Sequence, residues 1–221
     1  MKTRHGFGRL PSPPDPRDYL MSAAVRELEK LPRPARRWHS DGPVLDQGET
    51  SACVGFAWAG WGISAPVEDD WGNADGAFIY RACKALDGDP REGTTVRAGA
   101  AVMRHAGRLG TYFWAASVDE ALDYLAAPYG APIVFGTVWT ESMMTPGPLT
   151  RIIRPTGRIV GGHAWLAIGV DRSYVRLRNS WGRAWGKNGE ARIRIVDLKA
   201  LWRSGGEACA GSELPLAIGG R

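Results

Sequence analysis

The sequence has few cysteines and no long hydrophobic stretch. Its 221 residues include three cysteines, at positions 53, 83 and 209, which are too few and too widely spaced for a disulfide scaffold. No run approaches the roughly 20 apolar residues of a membrane span. Residues 1–9 lack the apolar centre of a signal peptide. These absences predict a cytoplasmic protein that does not enter a membrane.

The chain also lacks a cluster of basic residues and any internal repeat. Lys and Arg number 28 against 23 Asp and Glu, and they are scattered along the sequence, so no nucleic-acid partner is expected. A hydrophobic content of 44% and a charged content of 23% are ordinary for a globular protein. The length suits one domain or two small lobes that share an interface.

A short segment without a polar face follows a polar loop. Residues 52–61 are apolar all round, which is typical of a buried core helix. Thr50 and Ser51 are suitable N-cap residues for it. Cys53 would then lie in the first turn, where the helix dipole lowers the pKa of a thiol. A free cysteine is most often a small buried hydrophobe, so this segment alone leaves both interpretations open.

Two downstream motifs favour a nucleophilic role. Residues 161–170 form an apolar, β-rich run with His163 near its start, and Asn179 opens the motif Asn-Ser-Trp-Gly-x2-Trp-Gly-x2-Gly. Gln47 lies six residues before Cys53. Together, and in this order, these motifs resemble those of the papain-like cysteine peptidases.

The resemblance implies an α+β fold with two lobes and an active site in the cleft between them. Residues 1–35 are then a short leader rich in Pro and Arg, and residues 36–221 are the peptidase domain. The helical lobe spans about 45–110, and the β-barrel-like lobe spans about 111–221. The leader is interpreted as a strap that packs on the domain surface, with inhibition of a zymogen as the alternative.

Sequence patterns predict most of the regular elements. Val25, Leu28 and Leu31 indicate a short helix over 21–31, and Cys83 shares a buried helical face with Ile79 and Leu86. The remaining predicted elements are helices at 76–86, 96–105 and 118–126 and strands at 131–138, 163–170, 174–178 and 190–195.

The resemblance also implies the catalytic roles. Cys53 would be the nucleophile, His163 its base, and Asn179 the residue that orients the imidazole. Gln47 and the backbone N–H of Cys53 would stabilise the oxyanion. No metal or cofactor is implied, and we expect a monomer that acts on a peptide or protein substrate.

Substrate contacts follow from the same resemblance. The implied residues are Gly93, Thr94, Gly136, Gly162, Ala164 and Trp181. The first two would bind an extended peptide through their backbone. The small residues near 136 and 161–164 predict a roomy, apolar pocket without a fixed charge, and therefore a preference for a bulky apolar side chain before the residue that is cleaved.

Other functions remain open at this point. One is a catalytically silent module of the same fold that binds peptides. Another is an amidase of narrow specificity that acts on cell walls or on itself. The spacing between Cys53 and His163 is shorter than in the papain signature, which predicts a trimmed β lobe, and the tail with Cys209 has no predicted role.

Overall fold

The helical half of the molecule is built around one fully buried helix. The computed structural model describes residues 5–22 and 33–212. Helix α1, Cys53–Ile63, buries all eleven of its residues, as its uniformly apolar sequence predicts. Apart from Met21 and Ser22, the helix predicted over 21–31 lies outside the described residues.

Two amphipathic helices pack against α1. Helix α2, Asn73–Asp87, turns Gly76, Ile79 and Cys83 inward. Helix α3, Val96–His105, begins at the N-cap Thr95. A Cβ added at Gly99 would overlap the ring of Trp58, so this glycine allows α1 and α3 to approach closely. Trp58 Nε1 donates to the Val96 carbonyl at 3.1 Å, which satisfies the buried indole.

One mixed sheet of nine strands makes up most of the other half. Its strands are β2 (Tyr19–Leu20), β3 (Arg36–Arg37), β5 (Thr111–Trp114), β6 (Ile133–Thr140), β7 (Ile152–Ile153), β8 (Ile159–Val170), β9 (Tyr174–Arg178), β10 (Glu190–Arg194) and β11 (Glu207–Ser212). The order is β2-β5-β11-β6-β8-β9-β10-β7, with β3 paired to β8. The α+β class is confirmed. Within the described residues the sheet is not closed into a barrel, because its two edge strands, β2 and β7, do not pair with each other.

The tail that the sequence left without a role forms a central strand. Strand β11 lies between β5 and β6 and places Glu207 opposite Gly136. Helices α4, Val118–Ala126, and α5, Ile195–Arg203, contact each other beside the sheet. Cys209 is buried in β11, and all three cysteines are free.

The predicted cap of α1 is wrong. The N-cap is Ala52, without a side-chain hydrogen bond. Ser51 Oγ donates instead to Glu92 Oε2 at 2.8 Å, and Thr50 Oγ1 donates to the Gln47 carbonyl at 2.7 Å. Both hydroxyls therefore fix neighbouring loops, and the first-turn N–H groups of α1 remain available.

The leader touches both halves. Strand β1, Arg9–Leu10, pairs with β4, Thr94–Thr95, on the helical side. Strand β2 pairs with β5 in the main sheet. In the described part of the chain, no helix is both long and apolar enough to cross a membrane.

Candidate active site

Cys53 and His163 are brought together by the packing of α1 on β8. Cys53 is the first residue of α1, and His163 lies in β8. Both are 0% exposed. A backbone hydrogen bond links the Cys53 sulfur to Ala164, the residue directly after His163. The thiol therefore lies at the seam between the helical half and the sheet.

Asn179 fixes the orientation and tautomer of His163. Its Oδ1 lies 2.7 Å from His163 Nε2 and also accepts the Ser180 N–H at 2.8 Å. An oxygen that only accepts requires Nε2 to carry the proton. A neutral imidazole then has its lone pair on Nδ1, which is buried and has no partner among the described residues. This nitrogen is available to accept a proton.

Two indole rings enclose the imidazole. The Trp181 ring centroid lies 4.6 Å from that of His163, and the Trp139 centroid lies 4.8 Å away. Trp185 packs edge-on against Trp181 at 5.9 Å. The rings keep water from the His163–Asn179 hydrogen bond, which is stronger in a low dielectric. Trp139 had no predicted role, since nothing in its local sequence distinguishes it from a core residue.

Ser180 connects Gln47 to the loop after β9 that carries Asn179. Its Oγ donates to Gln47 Oε1 at 2.7 Å, and its carbonyl accepts the Gln47 N–H at 2.9 Å. The amide group of Gln47 is thereby oriented, and Nε2 donates to the Thr50 carbonyl at 2.7 Å and to the Gly6 carbonyl at 3.2 Å. No role was predicted for Ser180, although it is the second residue of the Asn-Ser-Trp-Gly motif.

The part of the leader that begins at His5 runs through this site. Gly8 donates its N–H to the Gly162 carbonyl at 3.2 Å and accepts the Thr94 N–H at 2.8 Å, so it bridges the two halves. A Cβ added at Gly8 would overlap the Ser51 carbonyl, so only glycine fits there. The leader thus covers the Cys53 thiol, which the surface-strap interpretation did not anticipate.

Aromatic contacts hold the residues that flank Gly8. The Phe7 ring lies edge-on to His163 at 6.0 Å and to Trp181 at 5.7 Å, measured between ring centroids. The His5 ring stacks on Trp181 at 4.6 Å. The leader is therefore anchored over the imidazole as well as over the thiol.

The residues predicted to contact substrate surround the leader. Those beside it are Gly93, Thr94, Gly136, Gly162 and Trp181. The sixth, Ala164, contacts the Cys53 sulfur through its backbone. The φ of Gly93 is 86°, a left-handed conformation that favours glycine, and it brings the backbone against Gly8.

The predicted pocket does contain a fixed charge. The Arg9 guanidinium occupies it, with Nε donating to Glu207 Oε1 at 2.7 Å and Nη2 to the Gly205 carbonyl at 2.9 Å. A Cβ added at Gly136 would lie 2.9 Å from Glu207 Oε1. The prediction of an uncharged pocket is wrong, because Glu207 belongs to β11, which the sequence did not connect to the site.

Burial under the leader keeps both reactive groups neutral. It raises the pKa of Cys53 to about 11, although backbone hydrogen bonds to the sulfur oppose the shift. It also lowers the pKa of His163 to about 4, against the opposing effect of the Asn179 hydrogen bond. At pH 7 the covered site therefore holds a thiol and a neutral imidazole rather than an ion pair.

The site shows no metal-binding constellation. Across residues 5–22 and 33–212, no three His, Cys, Asp or Glu side chains are grouped so that they could hold a metal ion.

Comparison with known proteins gives the fold. No family model matches the sequence, and no curated protein matches it. Xylellain, a cysteine protease from Xylella fastidiosa, has a similar structure, with a TM-score of 0.73 and 20% identity over 97% of this chain and 98% of that one. Procathepsin B S9 from Trypanosoma congolense gives a TM-score of 0.70 at 12% identity over 96% and 87% of the two chains. The digestive procathepsin L 3 of Tenebrio molitor larval midgut gives 0.61 at 15% identity over 96% and 77%. The chain has the papain-like fold.

Proposed function

We propose that the chain is a thiol-dependent peptidase that hydrolyses peptide bonds through Cys53, His163 and Asn179. The arrangement of His163 carries this proposal. Its Nε2 is engaged by Asn179, and its Nδ1 is buried and has no partner among the described residues. The similarity to xylellain, which is named a cysteine protease, supports the same reaction class.

The reaction would begin with transfer of the Cys53 proton to His163 Nδ1. The thiolate attacks the peptide carbonyl carbon, and the resulting oxyanion accepts hydrogen bonds from Gln47 Nε2 and the Cys53 backbone N–H. The imidazolium then protonates the departing amine, which leaves an acyl group on the sulfur. Water, deprotonated by His163, hydrolyses the thioester and restores the thiol.

The leader would hold the enzyme in a covered state. The Gly6 carbonyl occupies Gln47 Nε2, the donor that the oxyanion needs, and Gly8 lies over the thiol. Substrate and leader therefore compete for one site. Displacement of the leader would rehydrate the site, lower the pKa of Cys53 and raise that of His163.

A peptide-binding module without catalysis is the second candidate. The backbone hydrogen bonds that hold Gly8 favour it, because they are suited to any extended peptide. An amidase that acts only on cell walls or on itself is a narrower form of the first proposal. The two classes differ in one observable, cleavage of the bound peptide.

Full-length Gly8→Val protein provides the test. A side chain at position 8 cannot fit against Ser51, so the leader should leave the cleft. Gly72→Val is the matched control, since nothing lies within 4 Å of a Cβ added at Gly72. We expect Gly8→Val to hydrolyse an unfolded fluorogenic protein, and expect no hydrolysis after a further Cys53→Ala or His163→Ala change.

Two results would favour one of the alternative functions instead. Peptide binding by the folded Gly8→Val protein without cleavage would favour the silent module. Cleavage restricted to cell-wall peptides or to the chain's own leader would favour the narrow amidase.

A further inference from the structure

A second concave site lies on the main sheet, away from Cys53. It is a cavity of about 260 Å³ lined by residues of β3, β8, β9 and β10. Gly169, in its floor, lies six residues beyond His163 on β8, which is roughly 20 Å at the rise of a β-strand. Around the cavity are Arg37, Gly169, Asp171, Tyr174, Arg176 and Arg192. It is therefore separate from the candidate active site.

Strand pairing places three arginines in one row across this cavity. Arg37 lies directly opposite Gly169, and Gly169 lies opposite Arg176. Arg192 lies opposite Arg176 on the next strand. Residues that are directly opposed share a face of the sheet, and like charges in such positions destabilise the pair. The row is therefore stabilised by negative charge placed above it.

Gly169 leaves the centre of the row open. A Cβ added at this position would lie 2.7 Å from the Arg36 carbonyl oxygen, so a side chain does not fit there. The floor between Arg37 and Arg176 is therefore backbone. The two arginine side chains are 60% and 37% exposed, so a ligand from solvent can reach both guanidinium groups.

One carboxylate is shared between two of the arginines. Glu190 Oε1 lies 3.5 Å from Arg37 Nη2, and Glu190 Oε2 lies 3.2 Å from Arg176 Nη1. Each guanidinium thus uses one nitrogen on this carboxylate, although a guanidinium carries five N–H donors. Both arginines keep donors for a further anion.

The third arginine has no carboxylate partner in the described part of the chain. The Arg192 guanidinium carbon lies 5.2 Å from the centre of the Tyr174 ring, and its Nη2 donates to the Thr150 carbonyl at 3.1 Å. Asp171 Oδ1, also at the cavity, accepts the N–H groups of Ser173 and Tyr174, both at 2.8 Å. The ring and the carbonyl hold the Arg192 side chain in place without neutralising it.

Phosphoryl groups suit this row better than carboxylates do. A terminal phosphoryl group presents three strong acceptor oxygens, whereas a carboxylate presents two. Guanidinium groups bind phosphate through two parallel hydrogen bonds. Neighbouring strands are about 4.8 Å apart, so two linked phosphoryl groups can contact arginines on different strands at once. A diphosphate is therefore favoured over a single phosphate.

We propose that Arg37, Arg176 and Arg192 form a binding site for a diphosphate group, either inorganic pyrophosphate or the diphosphate of a nucleotide. This site goes beyond the proposed peptidase function and does not depend on it, because it shares no described residue with the candidate active site.

Isothermal titration calorimetry of the full-length wild-type protein tests the proposal. The probes are pyrophosphate, orthophosphate, citrate and ADP, in about 0.15 M salt, where attraction to distant surface charges is screened. We expect saturable binding of pyrophosphate, about 10-fold or more tighter than that of orthophosphate or citrate, since further charge-assisted hydrogen bonds form. ADP that binds as tightly as pyrophosphate would identify a nucleotide as the ligand, and weaker ADP binding would identify the inorganic anion.

Two arginine variants assign the binding to the row. Arg176→Gln and Arg192→Gln should each weaken pyrophosphate binding by about 10-fold or more. Arg108→Gln is the matched control, because Arg108 also pairs with a carboxylate, that of Asp69, and lies 5.3 Å from the centre of the Trp71 ring, but on the helical half. Its affinity for pyrophosphate should equal that of the wild type.

A third variant should improve binding. Glu190→Gln removes the carboxylate that competes for Arg37 and Arg176, so pyrophosphate should bind about 5-fold more tightly, the upper range for a surface ion pair. A gain of affinity cannot result from misfolding.

Three results would overturn the proposal. They are absence of saturable pyrophosphate binding to the wild type, citrate binding as tight as that of pyrophosphate, and wild-type affinity in both Arg176→Gln and Arg192→Gln. Weaker binding by Glu190→Gln would also contradict it, because the carboxylate would then support the ligand instead of competing with it.

Discussion

Cys53 and Cys83 are both fully buried, but different parts of the molecule bury them. Burial raises the pKa of Cys53 to about 11 and that of Cys83 to about 12. The charged and backbone groups that act on Cys83 all belong to its own helix, α2. Those that act on Cys53 include Gly8 and Arg9 of the leader. Burial by the helical core lasts as long as the protein is folded, whereas the proposed displacement of the leader would expose Cys53.

Their neighbours also differ. The polar constellation built from Gln47, His163 and Asn179 lies around Cys53, and Cys83 packs on the inward face of α2 with Gly76 and Ile79. A thiol needs a base and a donor for the oxyanion to act on a carbonyl. Depth of burial therefore does not distinguish the two cysteines, whereas the leader and the imidazole are found beside Cys53 alone of the two.

The largest expected effect comes from replacing each cysteine in turn. In the Gly8→Val background, Cys53→Ala should lower kcat/KM for peptide hydrolysis by on the order of 10⁴-fold or more, because the nucleophile is lost. Cys83→Ala should leave kcat/KM unchanged and lower the free energy of unfolding by about 1 kcal/mol, because a core contact is lost. Steady-state kinetics and urea denaturation measure the two effects. Loss of hydrolysis in Cys83→Ala would contradict the distinction drawn between the two cysteines.

Loss of the oxyanion donor should have the next largest effect. Gln47→Ala should lower kcat by about 10²-fold to 10³-fold, since one donor to the oxyanion contributes about 2.7–4 kcal/mol. Asn73→Ala is the control: its amide oxygen accepts the Asp46 N–H at 2.8 Å and so supports the same loop from an exposed position. An equal loss of kcat in both variants would mean that loop geometry, not the Gln47 amide, is responsible.

The residues of the candidate site show which features could be predicted from the sequence. Cys53, His163 and Asn179 were assigned because each lies in a short motif with a resemblance to a known family. The helices at 96–105 and 118–126 were predicted with their observed bounds, since their capping residues and apolar spacing are local signals.

Contacts between distant parts of the chain were not predictable. Glu207 reaches the pocket through the pairing of β11 with β6, and Arg9 reaches Glu207 from the leader. Neither residue stands in a motif, and short strands such as β1 carry no periodicity. Gly6 and Gly8 alternate in the leader, and such glycines are a local signal of a backbone packed closely against a surface. The sequence does not show which surface this is, because distant parts of the chain form the cleft.

The smallest expected effect is a pH dependence of leader docking. The pKa of His163 is lowered from 6.5 to about 4 in the covered site, so docking is fully stabilised above pH 6.5 and is weakened as the pH falls toward 4. The pKa of Cys53 is raised from 9.0 to about 11, so the same contact is also weakened as the pH rises from 9 toward 11. Hydrogen exchange of the Gly6 and Gly8 amides, corrected for intrinsic rates, should be slowest between pH 6.5 and 9.

Two variants identify the group responsible on the acid side. His163→Phe should remove most of the acceleration below pH 6.5, and His5→Asn should retain it, although His5 stacks on Trp181 in the same site. Loss of the acid acceleration in His5→Asn alone would assign the titration to His5 and contradict the role given to His163.

Covalent labelling with a peptidyl epoxide, read by intact mass, tests the central claim most directly. The account predicts a single adduct on Cys53 of the full-length Gly8→Val protein, formed about 10-fold or more faster than on the wild type or Gly72→Val. It predicts no adduct after Cys53→Ala and slow labelling after His163→Ala. Equal rates in the wild type and Gly8→Val, or an adduct that persists in Cys53→Ala, would contradict an activated thiol covered by the leader.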